Sequence, residues 1–132
     1  MKIVVFGGDG FCGWPTALHL SSQGHDVVVV DNFSRRKIDI EMETESLTPI
    51  SPLSVRIAAW HEVSGATIRT RFMDLATEFD RLRAFLAEER PDAVVHFAEQ
   101  RSAPYSMRTI DTKRYTVDNN IRATHNLLAA IS

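Results

Sequence analysis

Residues 3–13, with the sequence IVVFGGDGFCG, constrain this chain more than any other segment. An apolar run ends in closely spaced glycines at Gly7, Gly8, Gly10 and Gly13. Glycines at this spacing allow a tight turn, a close approach of the backbone to a pyrophosphate, and close packing of the next helix. The free N–H groups at the start of that helix attract an anion. The segment therefore predicts a dinucleotide-binding turn, the alternative being a plain glycine turn after a strand.

An acid follows at the distance that a dinucleotide requires. Residues 27–30 are four valines typical of a buried strand, and Asp31 ends this run. Asp31 lies about 20 residues past the glycines, where a carboxylate accepts hydrogen bonds from adenosine ribose hydroxyls. We therefore expect Asp31 to contact the ribose.

The residues after Asp31 give conflicting indications for NAD and NADP. Asp31 disfavours a 2′-phosphate by charge repulsion, whereas Arg35 and Arg36 could attract one. We favour NAD, because Asp31 lies at the strand end itself. The two arginines then pack over the adenine or its phosphate, or form a solvated basic pair.

The composition is that of an ordinary globular chain. Its 132 residues are 44% hydrophobic and 24% charged, and the formal net charge of −2 does not suggest nucleic acid or an anionic membrane as a partner. No apolar stretch approaches the ~20 residues of a membrane span, and none is typical of a signal peptide. Cys12 is the only cysteine, which favours a reducing, cytoplasmic location. The histidines show no metal-ligand spacing, so no metal site is predicted.

Strand and helix patterns alternate along the chain. We predict strands at 2–6, 26–31, 67–72 and 92–97, and helices at about 12–23, 53–63, 77–90 and 112–131. Thr77 with Asp80 predicts a capping box for the third helix. A long insertion of mostly irregular structure occupies about 33–66, and the apolar fourth strand is expected to be covered on both faces. The buried face of the last helix is predicted to consist of Val117, Ile121, Thr124, Leu128 and Ile131.

This pattern predicts an α/β fold, a partial Rossmann-type doubly wound parallel sheet of about four strands. Residues 1–132 are expected to form one dinucleotide-binding domain, as the N-terminal part of a larger enzyme.

Polar residues follow the third and fourth strands, at the edge of the sheet where ligands bind. Asp74 is predicted to accept from the adenine amino group, to cap the next helix, or both. Ala98 would pass beside the ribose and phosphate of the cofactor. Arg101 could hold an anion with two hydrogen bonds, or form a salt bridge with Glu99 or Asp111.

Four further residues are candidates for the same pocket. Tyr105 and Ser106 follow the fourth strand closely enough to line the pocket. Asn119 and Asn120 lie in the middle of a predicted helix, where asparagine is a poor helix former. One of the two is expected to face the cofactor or to brace the loop after the fourth strand, the alternative being a surface position.

Cys12 and His96 have side chains that could react, but we expect neither side chain to take part in chemistry. Cys12 precedes a helix N-terminus, where a thiolate would be stabilised. We expect its backbone to lie beside the phosphate, with a catalytic thiol as the alternative. His96 lies within a buried strand and is interpreted as a hydrogen-bonded structural histidine.

Several segments together resemble the UDP-sulfoquinovose synthases, which belong to the extended short-chain dehydrogenase/reductase group of nucleotide-sugar epimerases and dehydratases. They are GGDGFCGW, VDNFSRR, ESLTPI, VVHFAEQRSAPYSM and NN-x-x-x-T. The glycine motif is generic to the superfamily. HFAEQRSAPYSM and ESLTPI are much more specific, and ESLTPI lies in the long insertion that most relatives lack.

The resemblance implies an enzyme that holds NAD tightly, takes UDP-glucose and sulfite, and is classed with hydrolases acting on sulfur–carbon bonds. Its reaction begins with hydride transfer from carbon 4 of the glucose, continues through loss of water and addition of sulfite, and ends with return of the hydride. The product would serve as the head-group donor of a sulfolipid. By resemblance, the cofactor contacts fall on Gly7, Gly10, Phe11, Cys12, Gly13, Asp31, Asn32, Arg35, Arg36, Asp74, Leu75, Ala98 and Asn119, and the substrate contacts on Arg101, Tyr105 and Ser106.

One departure from the family pattern limits this expectation. The catalytic Tyr-x-x-x-Lys is absent, because Tyr105 and Tyr115 both lack a lysine four positions on. Ala123 also stands before Thr124, where the family usually has glycine. No catalytic residue is therefore assigned, and the 132 residues are expected to bind cofactor without turnover.

Two alternative functions stay open. The chain could belong to another NAD-dependent nucleotide-sugar epimerase or dehydratase, or be a non-catalytic NAD-binding module. A homodimer is a further open expectation, because dimers of this superfamily often use a helix equivalent to 112–131.

Overall fold

The computed structural model describes all residues from Met1 to Ser132. Four parallel strands form one sheet in the order β3-β2-β1-β4. The strands are β1 (Lys2–Phe6), β2 (Asp26–Asp31), β3 (Arg69–Phe72) and β4 (Ala93–His96). The helices are α1 (Gly13–Ser22), α2 (Ser34–Glu41), α3 (Leu53–Ser64), α4 (Phe79–Glu89), α5 (Ala103–Ser106) and α6 (Ile110–Ile131). The predicted Rossmann-type α/β class is confirmed.

Helices cover both faces of the sheet, because alternate residues of a strand point to opposite sides. Val4 and Phe6 belong to a core formed with α4 and α6. Ile3 and Val5 belong to a second core, formed with α1 and α3. The four valines of β2 are at most 1% exposed, as expected for a central parallel strand.

Two helices form where the sequence predicted no regular structure. α2 lies inside the 33–66 segment and buries no residue, and α5 is a single turn, so neither leaves a strong apolar pattern. A polar side chain bonds to the backbone at the start of each, as a turn before α2 and as the N-cap of α5. Asn32 Oδ1 accepts from the Ser34 N–H at 2.9 Å, and Ser102 Oγ accepts from the Tyr105 N–H at 3.3 Å.

The capping box predicted from Thr77 and Asp80 is wrong. α4 begins at Phe79, and Glu78 precedes it without a side-chain cap. Asp74 Oδ1 instead accepts from the N–H groups of Ala76 at 2.9 Å and Thr77 at 3.2 Å. The carboxylate thus closes the turn between β3 and α4, and does not cap the helix itself.

The predicted buried face of α6 is also wrong. Val117, Ile121 and Leu128 are 56%, 65% and 56% exposed, and Ile131 is exposed with them. The buried residues are Thr112, Ala123 and Leu127. Apolar residues occur on two sides of α6. The helix packs against α4 and α5 through the side that carries these buried residues, and not through the predicted one.

The coverage predicted for β4 differs as well. β4 lies at an edge of the sheet, and all four of its residues are only half-buried.

No helix combines the length and apolarity needed to cross a bilayer.

The loops that follow the strands begin side by side at the carboxyl edge of the sheet. The Gly7 N–H donates to Val30 O at 2.8 Å, and the Phe97 N–H donates to Phe6 O at 2.9 Å. The Met73 N–H likewise donates to Asp31 O at 3.2 Å. Chain crossovers diverge on either side of β1 at this edge, which leaves a crevice typical of ligand sites in such sheets.

A buried acid ties the opposite edge of the sheet together. Glu89, at the end of α4, is 6% exposed and accepts two hydrogen bonds from Arg69 Nη1, at 2.7 and 2.9 Å. Lys2 Nζ lies 3.2 Å from the same carboxylate, and Arg69 also pairs with Asp26 at 3.1 Å. The hydrogen bonds from Arg69 lower the pKa of Glu89. The cluster therefore links α4 to the amino ends of three strands.

Glu89→Gln is expected to lower the free energy of unfolding by about 1–2 kcal/mol. The cost is smaller than for a fully buried ion pair, because water still solvates part of Arg69 and Lys2 once their partner is lost. Because the folded-state pKa is lowered, this stabilisation is present above the ordinary pKa of 4.5 and is lost as the pH falls through the folded-state value. Urea unfolding at pH 7 and at pH 3 measures both effects.

The control is Glu88→Gln, which changes an exposed neighbour that makes no ion pair. Equal unfolding free energies for the two variants at pH 7 would contradict the assignment.

Candidate functional site

A cavity of about 670 Å³ opens at the carboxyl edge of the sheet. The glycine turn, the end of β2, the turn after β3 and the loop after β4 line it. A second groove, of about 820 Å³, lies among α4, β4 and α6, away from the glycine turn. The glycine turn and the loops at the carboxyl ends of the strands line only the first cavity of the two.

The glycine turn has the geometry that the sequence predicted. Gly7 has φ +79°, a left-handed conformation that glycine adopts without strain. A Cβ on Gly13 would lie 2.0 Å from Gly7 O, so the first turn of α1 packs directly on the glycine turn. This contact fixes where the helix begins.

Three consecutive backbone amides at this turn have no acceptor within the chain. They are the N–H groups of Phe11, Cys12 and Gly13, all on the cavity wall. Cys12 gives α1 no side-chain cap. Unpaired amides at a helix N-terminus, together with the helix dipole, form a site for phosphate oxygens. The residues present therefore fit a pyrophosphate.

Asp31 is held by the backbone on both sides. Its Oδ2 accepts from the Asp9 N–H at 2.8 Å, and its Oδ1 accepts from the Phe33 N–H at 2.7 Å. Each oxygen keeps a lone pair for a further donor, as a ribose diol requires. Burial raises the pKa of Asp31 above its ordinary value.

Asp9 is the main site residue that the sequence analysis missed. It is 2% exposed, and its carboxylate accepts from Arg36 Nε at 2.7 Å and Arg36 Nη2 at 2.9 Å. Arg56 Nη2 also bonds to it, and Arg35 Nη2 lies 3.6 Å away. The hydrogen bonds with Asp9 raise the pKa of Arg36, whereas burial lowers that of Arg56. We call Asp9, Arg35, Arg36 and Arg56 the Asp9 cluster.

The Asp9 cluster joins the glycine turn to the 33–66 segment. Arg36 also donates to Ile50 O at 3.3 Å and to Ser51 O at 2.9 Å, and Arg56 lies 4.7 Å over the Trp14 ring. The sequence did contain one signal for this cluster. An acid lies inside the glycine turn, and arginines follow in the next connection. Nothing in the sequence pattern showed that α3 would bring Arg56 to it.

Asp74 makes several hydrogen bonds within the chain, in addition to lining the cavity. Its Oδ2 accepts from Asn32 Nδ2 at 2.9 Å, while Oδ1 closes the turn before α4. The Asp74 N–H donates to Glu78 Oε2 at 2.7 Å, which lowers the pKa of Glu78. The alternative prediction, that Asp74 caps the next helix, is therefore wrong, because its carboxylate closes the turn before α4. Contact with an adenine stays a prediction.

The loop after β4 is braced by α6. Asn120 Oδ1 accepts from the Gln100 N–H at 2.8 Å, and Asn120 Nδ2 donates to Gln100 O at 2.9 Å. Asn119 lines the cavity and donates to Asn120 Oδ1 at 3.1 Å. One asparagine thus braces the loop while its neighbour faces the cavity, and Gln100 is 7% exposed as a result.

His96 is hydrogen-bonded on both ring nitrogens. Nδ1 accepts from the Ala98 N–H at 3.3 Å, so Nε2 carries the proton and donates to Thr124 Oγ1 at 3.1 Å. Burial lowers the pKa of His96, which favours this neutral form. The interpretation of His96 as a satisfied histidine agrees with this geometry, although it also lines the cavity.

Neither tyrosine has the environment of a catalytic base. Tyr105 and Tyr115 pack edge to face with ring centroids 6.1 Å apart. Burial raises the pKa of both phenols, the opposite of what a phenolate base at neutral pH needs.

Most of the predicted site residues line the cavity. They are Gly7, Gly10, Phe11, Cys12, Gly13, Asp31, Asn32, Arg35, Asp74, Leu75, Ala98, Arg101 and Asn119. Arg101 is exposed and forms neither of the salt bridges considered, with Glu99 or with Asp111.

Three predicted residues do not reach the cavity wall. Arg36 lies in the Asp9 cluster and is committed to Asp9 and to backbone carbonyls. Tyr105 is buried in α5, and Ser106 Oγ donates to Ala103 O at 3.0 Å. Both residues belong to α5, and neither is among the residues that line the cavity. No three His, Cys, Asp or Glu side chains are grouped as metal ligands.

Comparison with known proteins identifies relatives of the whole chain. The family described as NAD dependent epimerase/dehydratase matches residues 3–132. A chloroplastic UDP-sulfoquinovose synthase of Spinacia oleracea is 48% identical over 132 residues, 98% of this chain and 27% of that protein. A UDP-sulfoquinovose synthase of Sulfolobus acidocaldarius is 39% identical over 131 residues, 99% of this chain and 33% of that protein.

A solved structure shows the same architecture. The UDP-glucose-4-epimerase of Stenotrophomonas maltophila, with bound NAD and formylated UDP-arabinopyranose, superposes with a TM-score of 0.75 and 28% identity. The alignment covers 99% of this chain and 33% of that one. The chain thus spans about a quarter to a third of the length of these relatives.

Proposed function

The chain belongs to the NAD dependent epimerase/dehydratase family, and we propose that it is the cofactor-binding part of a UDP-sulfoquinovose synthase. The proposed reaction is the NAD-dependent conversion of UDP-glucose and sulfite to UDP-sulfoquinovose. The observation that carries this proposal is the 48% identity to the spinach enzyme over 98% of the chain. The identity of 28% to a solved UDP-glucose-4-epimerase is much lower.

The cavity wall supports NAD as the cofactor. The amides of residues 11–13 would hold the pyrophosphate, Asp31 the adenosine ribose, and Asp74 the adenine edge. Bound NAD would supply a reversible hydride acceptor for the sugar. The residues of this chain orient that group and neutralise its phosphates.

Fewer residues of this chain are suited to contact the substrate than to contact the cofactor. Arg101 is an exposed cation on the cavity wall, suited to a phosphate or a sulfonate. Tyr105 and Ser106 are proposed as substrate contacts on the resemblance alone, and both would need α5 to shift.

Catalysis is proposed to need residues beyond those of this chain. Neither tyrosine is paired with a lysine, and burial raises the pKa of each. We therefore expect the 132 residues to bind NAD without turning over substrate. Membership of a hydrolase class acting on sulfur–carbon bonds stays a prediction.

Assembly and location also stay predictions. The exposed apolar face of α6, with Val117, Ile121 and Leu128, is compatible with a helix-mediated homodimer. The cytoplasmic location expected from the single cysteine has to be set against a spinach relative named as chloroplastic.

The test is an assay of the intact protein with UDP-glucose, NAD and isotopically labelled sulfite. We expect a sulfonated nucleotide sugar by mass spectrometry, and none when sulfite is omitted. UDP-galactose formed without sulfite uptake would favour the epimerase alternative. NAD binding without conversion of any sugar nucleotide would favour the non-catalytic module.

A further inference from the structure

The Asp9 cluster carries more positive than negative charge. Arg35, Arg36 and Arg56 surround the single carboxylate of Asp9, and their relative exposures are only 20%, 30% and 16%. The Nε atoms of Arg35 and Arg56 are buried without a hydrogen-bond partner. Guanidinium groups with unused donors accept a further anion readily.

The same cluster contacts the residue predicted to bind the ribose. The Asp9 N–H donates to Asp31 Oδ2 at 2.8 Å, and Asp9, Asp31 and Arg35 all line the cavity. A 2′-phosphate on the ribose would therefore lie near Asp31 and Arg35, while Arg36 and Arg56 contact Asp9 without lining the cavity. The carboxylate of Asp9 offsets part of the positive charge that these arginines present to such a phosphate.

We propose that Asp9 positions the cofactor site and sets its preference for a 2′-hydroxyl over a 2′-phosphate, by neutralising Arg36 and Arg56 and by holding Asp31 through its N–H. This inference rests on the proposed binding of NAD. It assigns to Asp9 a role separate from that of Asp31, which meets the ribose directly. Asp9 acts through its neighbours and is a positioning residue.

With its carboxylate present, Asp9 neutralises Arg36 and Arg56, whose uncompensated charge would otherwise attract a phosphate at the neighbouring cavity wall. These bonds also hold Asp9 in the glycine turn, and with it the N–H that orients Asp31. Loss of the carboxylate should therefore weaken NAD binding and strengthen NADP binding at once.

The experiment measures the Kd of NAD and of NADP by calorimetry, on the intact protein freed of bound nucleotide. Asp9→Asn is expected to raise the Kd of NAD about tenfold, which corresponds to the loss of roughly one charge-assisted hydrogen bond. The same variant is expected to lower the Kd of NADP about threefold. The matched control is Asp26→Asn, since Asp26 also pairs with an arginine but at the opposite edge of the sheet. That variant should leave both constants unchanged.

The outcomes separate the inference from its premise. A wild-type protein that binds no NAD refutes the proposed function. Wild-type NAD binding with equal weakening of NAD and NADP in Asp9→Asn refutes the inference alone, because a merely structural role predicts no change in their ratio.

A second variant covers a failure of Asp9→Asn to fold. Arg56→Met removes one partner of Asp9 together with its positive charge, so NAD should weaken about threefold with no gain for NADP. Arg56→Lys, which keeps the charge, should restore most of the NAD affinity. Wild-type Kd values in Arg56→Met would overturn the inference.

Discussion

Replacing Asp31 by alanine is expected to raise the Kd of NAD by about 150-fold or more, while NADP weakens little or binds more tightly. The loss for NAD is that of two hydrogen bonds between a carboxylate and the ribose hydroxyls, each worth about 1.5–3 kcal/mol when charged. NADP would lose at most one such bond, because its 2′-oxygen carries the phosphate and only the 3′-hydroxyl can donate. It would gain from removal of a like charge beside the Asp9 cluster.

The pH dependence of NAD binding gives a second readout for the same residue. Burial raises the pKa of Asp31, so its carboxylate takes up a proton at a higher pH than an ordinary aspartate with a pKa of 3.8. NAD affinity should therefore decline as the pH falls towards this raised value, and Asp31→Ala should lose that decline. Calorimetric titrations with NAD and NADP at several pH values measure both effects.

Asp39 provides the matched control, because it is another acid on the wall of the same cavity. Its carboxylate accepts no hydrogen bond from the glycine turn. Asp39→Ala should leave the ratio of the two Kd values near that of the wild type. Equal weakening of NAD and NADP in Asp31→Ala would show that Asp31 shapes the site without contacting the ribose.

The parts of the fold that follow from local sequence were predictable. The valines of β2 are buried on both faces, so an uninterrupted apolar run identified the strand. Gly7 and Gly13 are required by backbone geometry, which is why spacing alone located the turn. Asp31 could be placed because it ends a strand at a fixed distance from that turn.

The parts that depend on tertiary contacts were not predictable in the same way. α6 has apolar residues on two sides, and only its packing against α4 and α5 decides that Ala123 and Leu127 are buried. Arg36 was assigned to the cofactor, but Asp9 is its nearest acid once the chain folds. Asp9 itself depends on Arg56, which lies 47 positions away in the sequence.

Gly13→Ala is expected to weaken NAD binding at least 100-fold and to lower the free energy of unfolding by about 1–3 kcal/mol, the usual cost of overpacking. The added Cβ would lie 2.0 Å from Gly7 O, 2.7 Å from Gly7 C and 2.8 Å from Gly8 Cα. All three atoms belong to the backbone, so no side chain can rotate to relieve the contact. α1 must move away from the glycine turn and carry the amides of residues 11–13 with it.

Gly24→Ala separates this effect from a general loss of stability. Gly24 has φ +82°, so alanine there is strained by about 1–2 kcal/mol, yet its Cβ would meet nothing within 4 Å. Both variants should unfold at lower urea concentration than the wild type, but only Gly13→Ala should lose NAD affinity in calorimetric titration. NAD binding within about threefold of wild type in Gly13→Ala would mean that the phosphate does not depend on the start of α1. Since the other amides of this turn already donate within the chain, that result would move the pyrophosphate away from the glycines altogether.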